Sequence, residues 1–573
     1  MRQPAASPDT PKYGGTLRTW TGTEPNCCDS ATNSLMSQAM VGNYNLEQLL
    51  NEDWVKGPSG TGEFDYRAFS SPVGMMGPTL AESIEIPELG VWKLKVRQGV
   101  HWQSPDTPAG KLMGGREMTA DDVLWSLKRM TFDPASAIQT LQPRVAEAMV
   151  YEKTGPWEIT IHSPVQPVTA LWWIIQGGGH NVIQPREVVQ KYGNLNDWHN
   201  ALGTGPWILT DYVPASLVVY KKNPNYWGTD PIGPGKGNQL PYINEIQQLI
   251  IPDYSTTLAA LRTGKLDFLG NVTVEDAEQM LKTAPNLQSS QFLPNTNQSI
   301  AFNFDNPRKP WADVRVRQAL MMALDFETIK SGYYGGKAEI DTFIVSKNFA
   351  GKGYQPISTM SQTIQDLYGY HPDKARQLLT AAGYPNGFSA SILSTPETAR
   401  LDELAIVKGY WSKIGVNVSI DIKAAGTLTA MVTRQFNWED MFYASSGAGS
   451  SSNHYTLYTY LGYIRGDNRL QFISRLDPRG KPDRVIETAF DKLNANVFVN
   501  FPEVYKTVEE LRPYILEQAS KIPFPQPYLY SLWWPWLKNT YGQLGTGATN
   551  ASGIVPFYKY FWIDQALKKS MGR

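Results

Sequence analysis

Helical and strand-like patterns alternate from residue 250 onward, and this alternation restricts the fold of the chain more than any other feature of its sequence. The helical patterns lie at residues 255–262, 373–382 and 398–413, and the strand patterns lie at 266–269 and 416–422. Glycines stand where the helical patterns end, which is typical of helix C-termini. Repeated helix–strand units with short links predict α/β lobes with mixed sheets.

Helix starts are marked by capping residues. Thr119 is followed three residues later by Asp122, and Thr273 is followed in the same way by Asp276. Both pairs have the spacing of a capping box, and Asp313 stands as an N-cap before an amphipathic pattern at 314–325. Further strands are expected within residues 15–20, 90–102, 157–161 and 216–220, where apolar and polar residues alternate.

Length and charge exclude several protein classes. The chain has 573 residues, and a single core stops growing at about 250–300 residues, so several packed units are expected. The 52 Lys and Arg residues are balanced by 53 Asp and Glu residues. Because neither sign is in excess, no nucleic-acid partner is predicted. The 18 Trp and 29 Tyr residues are expected in cores or in sites that stack on ligands.

The only cysteines are the adjacent Cys27 and Cys28. Neighbouring cysteines can form a disulfide only through a strained eight-membered ring, so the sequence predicts two thiols.

No stretch reaches the roughly 18 apolar residues that a membrane helix needs. Residues 1–11 form a Pro-, Ser- and Thr-rich tail without the apolar region of a signal peptide. We interpret the sequence as a mature chain whose export signal has been removed and replaced by a starting Met.

Common catalytic motifs are missing from the sequence. It contains no Gly-x-Ser-x-Gly, no P-loop, no Gly-x-Gly-x-x-Gly and no His-Glu-x-x-His, and its six histidines are scattered. We therefore predict that the protein is not an enzyme, and that it has no cofactor and no metal site.

Six segments, in order along the chain, resemble the oligopeptide/dipeptide-type family of ABC solute-binding proteins, the large class with three subdomains. They lie at residues 12–17, 94–123, 203–207, 261–267, 302–325 and 533–564. The third is the turn Gly-Thr-Gly-Pro-Trp, and the fifth contains the run Pro-Trp-Ala-Asp-Val-Arg-Val-Arg-Gln-Ala-Leu. Each segment is weak evidence alone, but six in the right order are specific.

The resemblance implies an α/β, two-lobed periplasmic-binding-protein fold with mixed sheets, a hinge and an extra subdomain in lobe I. Residues 1–11 would be a disordered tail. The main subdomain of lobe I would comprise residues 12–55, 201–268 and 523–573, and the extra subdomain of lobe I would comprise residues 56–200. Lobe II would comprise residues 269–522. The chain would cross between lobes near 266–272 and 522–530.

The same resemblance implies that the protein captures a small solute between its lobes and delivers it to a membrane ABC permease, as a monomer located in the periplasm or elsewhere outside the cytoplasm. Candidate ligand-binding residues follow from their positions in the family pattern. They are Glu24, Asn26, Cys27, Tyr44, Asn45, Asn271, Val272, Trp438, Tyr443, Ser445, Ser446, Gly447, Trp533, Trp534 and Trp536.

The class of ligand stays open between two alternatives. The family favours an oligopeptide or a peptide-like compound, for which charged anchors and strand edges are needed. The many Trp residues, and the neutral segment after Asp440 where peptide-binding members often have an acidic residue, favour an oligosaccharide or a sugar–amino-acid conjugate. A hydrolase or a metal-chelate binder is a remote alternative.

Overall fold

The structure is a computed structural model of the full chain, and the following account covers the residues whose placement it defines. These are residues 9–25, 28–29, 31, 44–66, 75–136, 139, 143–163, 182–294, 297–303, 308–342, 354–432, 437–446, 484–496, 500–543 and 555–573.

Twenty-two strands are defined in this part of the chain. They are β1 (Thr16–Thr21), β2 (Leu50–Glu52), β3 (Met76–Pro78), β4 (Ala81–Glu88), β5 (Val91–Val96), β6 (Val150–Gly155), β7 (Glu158–His162), β8 (Trp207–Val213), β9 (Leu217–Lys222), β10 (Glu245–Ile250), β11 (Phe268–Thr273), β12 (Gln288–Phe292), β13 (Asn297–Phe302), β14 (Ala338–Glu339), β15 (Phe388–Ser394), β16 (Val416–Ile422), β17 (Met441–Ser446), β18 (Lys521–Pro523), β19 (Gln526–Pro527), β20 (Leu529–Trp533), β21 (Leu537–Lys538) and β22 (Trp562–Ile563).

The helices of the same residues are α1 (Pro108–Met113), α2 (Ala120–Phe132), α3 (Pro143–Ala148), α4 (Arg186–Tyr192), α5 (Tyr254–Arg262), α6 (Val274–Thr283), α7 (Val314–Met322), α8 (Phe326–Thr328), α9 (Gln362–Tyr368), α10 (Pro372–Ala381), α11 (Thr398–Ser412), α12 (Ala425–Ala430), α13 (Arg484–Asn496), α14 (Phe501–Glu517) and α15 (Gln565–Ser570). A π-helix, Ile329–Tyr333, follows α8.

The chain forms two compact units. Unit 1 comprises residues 1–292 and 529–573, and unit 2 comprises residues 293–528. The sequence placed the first change of lobe at 268/269 and the second at 522/523. Residues 269–292 instead belong to unit 1 because β11 and β12 both pair with β20. Residues 523–528 belong to unit 2 because β18 pairs with β13 and β19 with β14.

In the part of unit 1 that the structure describes, three sheets have three or more strands. One has the order β1-β10-β9-β8, with β1 parallel to β10, and another has the antiparallel order β4-β5-β7-β6. The third is β11-β20-β12. The second sheet lies within residues 56–200, the range predicted as an extra subdomain.

The turn Gly-Thr-Gly-Pro-Trp is required by close packing of two backbone segments in unit 1. A Cβ at Gly203 would lie 1.9 Å from the carbonyl oxygen of Asn45, and one at Gly205 would lie 2.6 Å from that of Tyr44. Two backbone hydrogen bonds join the segments: the Gly205 N–H donates to Asn45 O (2.9 Å), and the Trp207 N–H donates to Tyr44 O (3.0 Å). Only glycine permits this contact.

The fully buried Asp267 joins three distant segments of unit 1. Its carboxylate accepts hydrogen bonds from the backbone N–H of Arg18 (2.7 Å), from Nε1 of Trp536 (2.7 Å) and from Nζ of Lys568 (2.6 Å). Strand β1, the entry to β11 and the C-terminal segment therefore meet at one side chain. A buried carboxylate is tolerated when it is paired and hydrogen-bonded in this way.

Unit 2 contains a five-stranded mixed sheet of order β16-β15-β17-β13-β18. Strands β16, β15 and β17 run parallel, while β13 is antiparallel to β17 and β18 is antiparallel to β13. A two-stranded pair, β14 with β19, belongs to the same unit. The mixed α/β architecture expected from the sequence is confirmed in this unit.

Several local predictions are also confirmed. Thr119 and Asp122 form the predicted capping box of α2. Thr273 caps α6 by accepting from the Asp276 N–H, and Asp313 caps α7 by accepting from the Arg315 N–H. Strand β16 has the predicted bounds, whereas the strand predicted at 266–269 begins two residues later and extends further, as β11.

We expect that Gly203→Ala lowers the stability of the protein by about 1–3 kcal/mol, the usual cost of overpacking, because its new Cβ would meet the Asn45 carbonyl. Thermal unfolding measures the effect. A matched control is Gly409→Ala within α11, where a Cβ meets nothing within 4 Å and helix propensity predicts a gain of up to about 1 kcal/mol. Equal melting temperatures for the two variants would contradict this account of the turn.

Candidate functional site

The carboxyl end of β15 lies beside the first residues of the parallel strand β17 in the unit 2 sheet: Ile392 is paired with Met441, and Leu393 is paired with Phe442. Ligands of open α/β sheets bind preferentially outside the carboxyl ends of parallel strands. The side chains that gather at the carboxyl end of β15 are called the carboxyl-end cluster: Tyr334, Thr395, Arg400, Glu403 and Tyr443.

Glu403 is at the centre of the carboxyl-end cluster. Its side chain is buried, and one carboxylate oxygen accepts a hydrogen bond from the Tyr443 hydroxyl while the other accepts one from the Tyr334 hydroxyl. The Tyr443 ring packs at 5.6 Å against Phe524. These contacts fix the two tyrosines with respect to α11.

Arg400 also lies over the Tyr443 ring. Its guanidinium carbon is 5.4 Å from the ring centroid, and its Nη1 donates to Thr395 Oγ1 at 2.6 Å. An ion pair to Glu397 is longer, at 3.7 Å. The Arg400 side chain remains 30% exposed, so a cation faces solvent beside a buried aromatic ring.

The local sequence explains why these groups meet. Strand β15 ends at Ser394, and α11 begins only four residues later, so the first turn of α11 lies at the carboxyl end of the sheet. Arg400 and Glu403 are three residues apart and therefore share one face of α11. Tyr334 follows directly on the π-helix Ile329–Tyr333.

Burial determines the electrostatics of the cluster. It raises the pKa of the Glu403 carboxyl above its ordinary value of 4.5, although the hydrogen bonds from Tyr334 and Tyr443 and the charge of Arg400 oppose the rise. Burial likewise raises the pKa of Tyr443, and the neighbouring Glu403 adds to this effect. The hydroxyls of Tyr334 and Tyr443 therefore both stay protonated and act as donors.

Some of the predicted ligand-binding residues belong to this edge. Tyr443 is a member of the carboxyl-end cluster. Ser445 and Ser446 lie on the last residues of β17, where the structure defines the backbone but not their side chains. Gly447, Asn26 and Cys27 lie outside the described residues.

The four predicted tryptophans are buried inside their own units. Trp534 donates its Nε1–H to Leu261 O (2.8 Å), and Trp536 donates to Asp267. Their rings stack 4.7 Å apart. Trp533 packs against Phe268, and Trp438 belongs to a core cluster with Phe442. In the structure all four rings serve core packing, because their faces are covered by other side chains.

Three further candidates are buried in unit 1. Tyr44 stacks on Tyr220 at 4.3 Å, and Asn45 donates from Nδ2 to Ala201 O at 2.9 Å. Val272 is fully buried and pairs with Tyr530 in the sheet. These residues hold unit 1 together.

Two predicted residues of unit 1 are exposed. Glu24 accepts hydrogen bonds from the Tyr212 hydroxyl and from the Ala215 N–H (2.9 Å), and so fixes the segment after β1 to the turn between β8 and β9. Asn271 has a φ of 57° at an irregularity in the pairing of β11 with β20. Both residues belong to unit 1, whereas the carboxyl-end cluster belongs to unit 2.

The prediction of two thiols is wrong for Cys28, which is buried and disulfide-bonded. The other cysteine of the sequence, Cys27, lies outside the described residues. The next residue, Asp29, is held by Arg129 (2.6 Å) and by the Leu195 N–H (3.1 Å).

Sequence analysis missed Thr395, Arg400, Glu403 and Tyr334. A signal for Glu403 was present: it lies next to Leu404 and on the apolar face that continues with Val407 and Trp411 of α11. An acidic residue on an apolar helical face needs polar partners, which here are two tyrosines. Arg400 and Tyr334 carry no comparable signal, because both residue types are common on surfaces.

Within the described residues, no group of three His, Cys, Asp or Glu side chains is arranged to hold a metal ion. None of the described helices is both long enough and apolar enough to cross a membrane.

A family model described as bacterial extracellular solute-binding proteins, family 5, middle, matches residues 76–468 of the chain. Heme-binding protein A of Haemophilus influenzae is 29% identical over 371 residues, which cover 60% of this chain and 61% of that protein. Glutathione-binding protein GsiB of Escherichia coli O157:H7 is 26% identical over 386 residues, covering 66% of this chain and 68% of GsiB.

Among solved structures, the oligopeptide-binding protein AppA from Bacillus subtilis, in complex with a nonapeptide, superposes with a TM-score of 0.65. The match is 18% identical in sequence and covers 97% of this chain and 100% of that one. This likeness confirms the predicted fold class, an α/β periplasmic-binding-protein fold.

The raised pKa of Glu403 predicts a pH dependence of stability. The folded protein holds the proton more tightly than the unfolded chain does, so this residue lowers the stability as the pH rises from 4.5 through the raised pKa. Glu403→Gln removes this penalty. We expect the melting temperature of the variant to rise relative to the wild type between pH 4.5 and pH 8.

Glu397→Gln is the matched control. Although burial raises the pKa of Glu397, the hydrogen bond from Thr395 and the charge of Arg400 lower it on balance. The stability that Glu397 contributes is therefore gained below pH 4.5, so the melting temperature of this variant should fall relative to the wild type as the pH rises to 4.5 and should stay level between pH 4.5 and pH 8. Parallel pH profiles for the two variants would show that Glu403 is not the buried acid described here.

Proposed function

Since this chain belongs to family 5 of the bacterial extracellular solute-binding proteins, we propose that it captures a small solute outside the cytoplasm and delivers it to a membrane ABC permease. The observation that supports this role best is the extent of the family match, from residue 76 to residue 468, which includes parts of both compact units. In this role the protein binds and releases its solute without chemical change, as a monomer, and without a nucleic-acid partner.

We propose an oligopeptide or a peptide-like compound as the solute. Glutathione, which gives GsiB its name, is such a compound, with a peptide bond and two carboxylates. The carboxyl-end cluster offers the groups that such a solute needs: an exposed guanidinium and hydrogen-bonding side chains at a strand end.

The alternative solute is an oligosaccharide or a sugar–amino-acid conjugate. Sugar recognition depends on exposed aromatic faces, and the tryptophans expected to supply them are buried: Trp533 is 3% exposed, Trp534 is 4% exposed and Trp536 is fully buried. This observation favours the peptide-like solute. A hydrolase is disfavoured for a different reason: the related proteins named above are binding proteins.

Thermal unfolding with a panel of glutathione, tetra-alanine, maltotetraose and cellobiose tests the proposal. A solute present at 100 times its Kd stabilises the folded protein by about 2.7 kcal/mol. We expect a higher melting temperature with at least one of the two peptides and none with the two sugars, and we expect mass spectrometry to recover each probe unchanged.

A shift with the sugars alone would replace the proposed solute by the alternative. Conversion of any probe by the purified protein would contradict the non-catalytic role.

A further inference from the structure

The chain contains one Asn-Gly pair, Asn386-Gly387, and this pair lies in the turn between α10 and β15 of unit 2. Asn386 is exposed, so water and hydroxide ions reach it. Asparagine is a thermolabile residue, and a following glycine has no side chain that would hinder attack of its backbone nitrogen on the asparagine amide. The sequence and the exposure together mark Asn386 as a site of chemical conversion.

A backbone hydrogen bond closes the turn around Asn386. The Gly387 N–H donates to Tyr384 O at 3.0 Å. Pro385 and Asn386 are the two central residues of the turn, and proline at the first central position favours a β-turn because its φ is fixed. The nitrogen that would attack the Asn386 amide is therefore engaged as a donor. Because attack requires this nitrogen to lose its proton, the turn has to open first.

A second contact holds Gly387 against the residue that precedes β16. Gly387 has a φ of 73°, and a Cβ at this position would lie 1.9 Å from Gly415 O. A Cβ at Gly415 would in turn lie 3.2 Å from Asn386 O. The next residues along the two segments, Phe388 and Val416, form the first pair of the parallel strands β15 and β16. The backbone spacing between Asn386 and Gly387 therefore sets where this pairing begins.

We propose that Asn386 is a site of spontaneous modification, at which the fold slows the formation of isoaspartate and does not accommodate the product. In the first step the Gly387 nitrogen loses its proton to solvent and bonds to Cγ of Asn386. The bond from Cγ to Nδ2 breaks, ammonia leaves, and a five-membered succinimide remains. Water then opens the ring: cleavage at Cγ gives aspartate, and cleavage at the backbone carbonyl gives isoaspartate.

Isoaspartate changes the backbone and not only the charge. In this product the chain runs through Cβ and Cγ of residue 386, so one additional carbon separates its Cα from the Gly387 nitrogen. The hydrogen bond to Tyr384 O and the close contact with Gly415 both depend on the normal spacing. We therefore expect isoaspartate to weaken the start of the β15–β16 pairing. The inference goes beyond the proposed function and does not depend on the solute.

The first part of the test measures where and how fast the conversion occurs. Full-length wild type, Asn386→Gln and Pro385→Ala are incubated at mildly alkaline pH, each in native buffer and in urea, and their peptides are followed by mass spectrometry. In urea we expect Asn386 to convert faster than any other asparagine of the wild type. In native buffer its conversion should be slower by about tenfold or more, because the turn opens only transiently.

The proline variant reports on the turn itself. Replacing Pro385 by alanine removes a residue that restricts the open chain, which is worth about a two- to fivefold change in an equilibrium constant. Native conversion at Asn386 should become faster by this factor, while the rate in urea should stay the same.

The second part of the test measures the effect of the product. Wild type aged in urea is refolded, the isoaspartyl fraction is separated by ion exchange, and its melting temperature is compared with that of untreated protein. We expect a lower melting temperature. Asn386→Asp adds the charge without lengthening the backbone, and Asn386→Gln carried through the same ageing controls for damage elsewhere. Both should retain the melting temperature of untreated wild type.

Three results would overturn the inference. The first is no conversion at Asn386 in urea, and the second is conversion at equal rates in native buffer and in urea. The third is an isoaspartyl protein with the melting temperature of the untreated wild type.

Discussion

The buried carboxylate of Asp267 is the interaction on which the architecture of unit 1 depends. It accepts hydrogen bonds from a backbone N–H of β1, from the Trp536 indole and from the Lys568 ammonium, and the residue also exchanges backbone bonds with Arg18 and Trp534. Three segments more than 200 residues apart in sequence are joined here. Removing one partner of such a buried pair costs about 3–5 kcal/mol, because the remaining charge is left uncompensated.

This arrangement explains why the tryptophans of the aromatic C-terminal segment are buried. Trp534 and Trp536 stack on each other, their indole N–H groups bind Leu261 and Asp267, and Lys568 and Arg573 cover their outer faces. Their aromatic surface is used to close unit 1. In unit 2, the side chain of Arg400 remains partly exposed at the carboxyl end of β15.

Local features of this fold could be predicted from the sequence, because each depends on neighbouring residues. The caps at Thr119, Thr273 and Asp313, and the bounds of β16, follow from hydrogen bonding and alternation within a few positions. The limits of the two units could not be predicted in this way, because they depend on the pairing of β20 with β11 and β12, strands that lie more than 230 residues earlier.

The site was harder to predict for a similar reason. Tyr443 was identified from its position in the family pattern, but its partners Glu403 and Tyr334 come from segments about 40 and 110 residues away. The tryptophan candidates were also taken from the family pattern, and a position in that pattern does not show whether a ring is buried or exposed. The disulfide bond of Cys28 contradicts the predicted thiol, which was inferred from ring strain alone.

The central claim is that the carboxyl-end cluster of unit 2 contacts the solute. Hydrogen–deuterium exchange of the full-length protein, with and without a saturating peptide-like solute that raises its melting temperature, tests this claim most directly. The account predicts slower exchange in peptides that cover residues 394–403 and 441–446 when the solute is bound. Unchanged exchange in both segments, with the solute demonstrably bound, would contradict it.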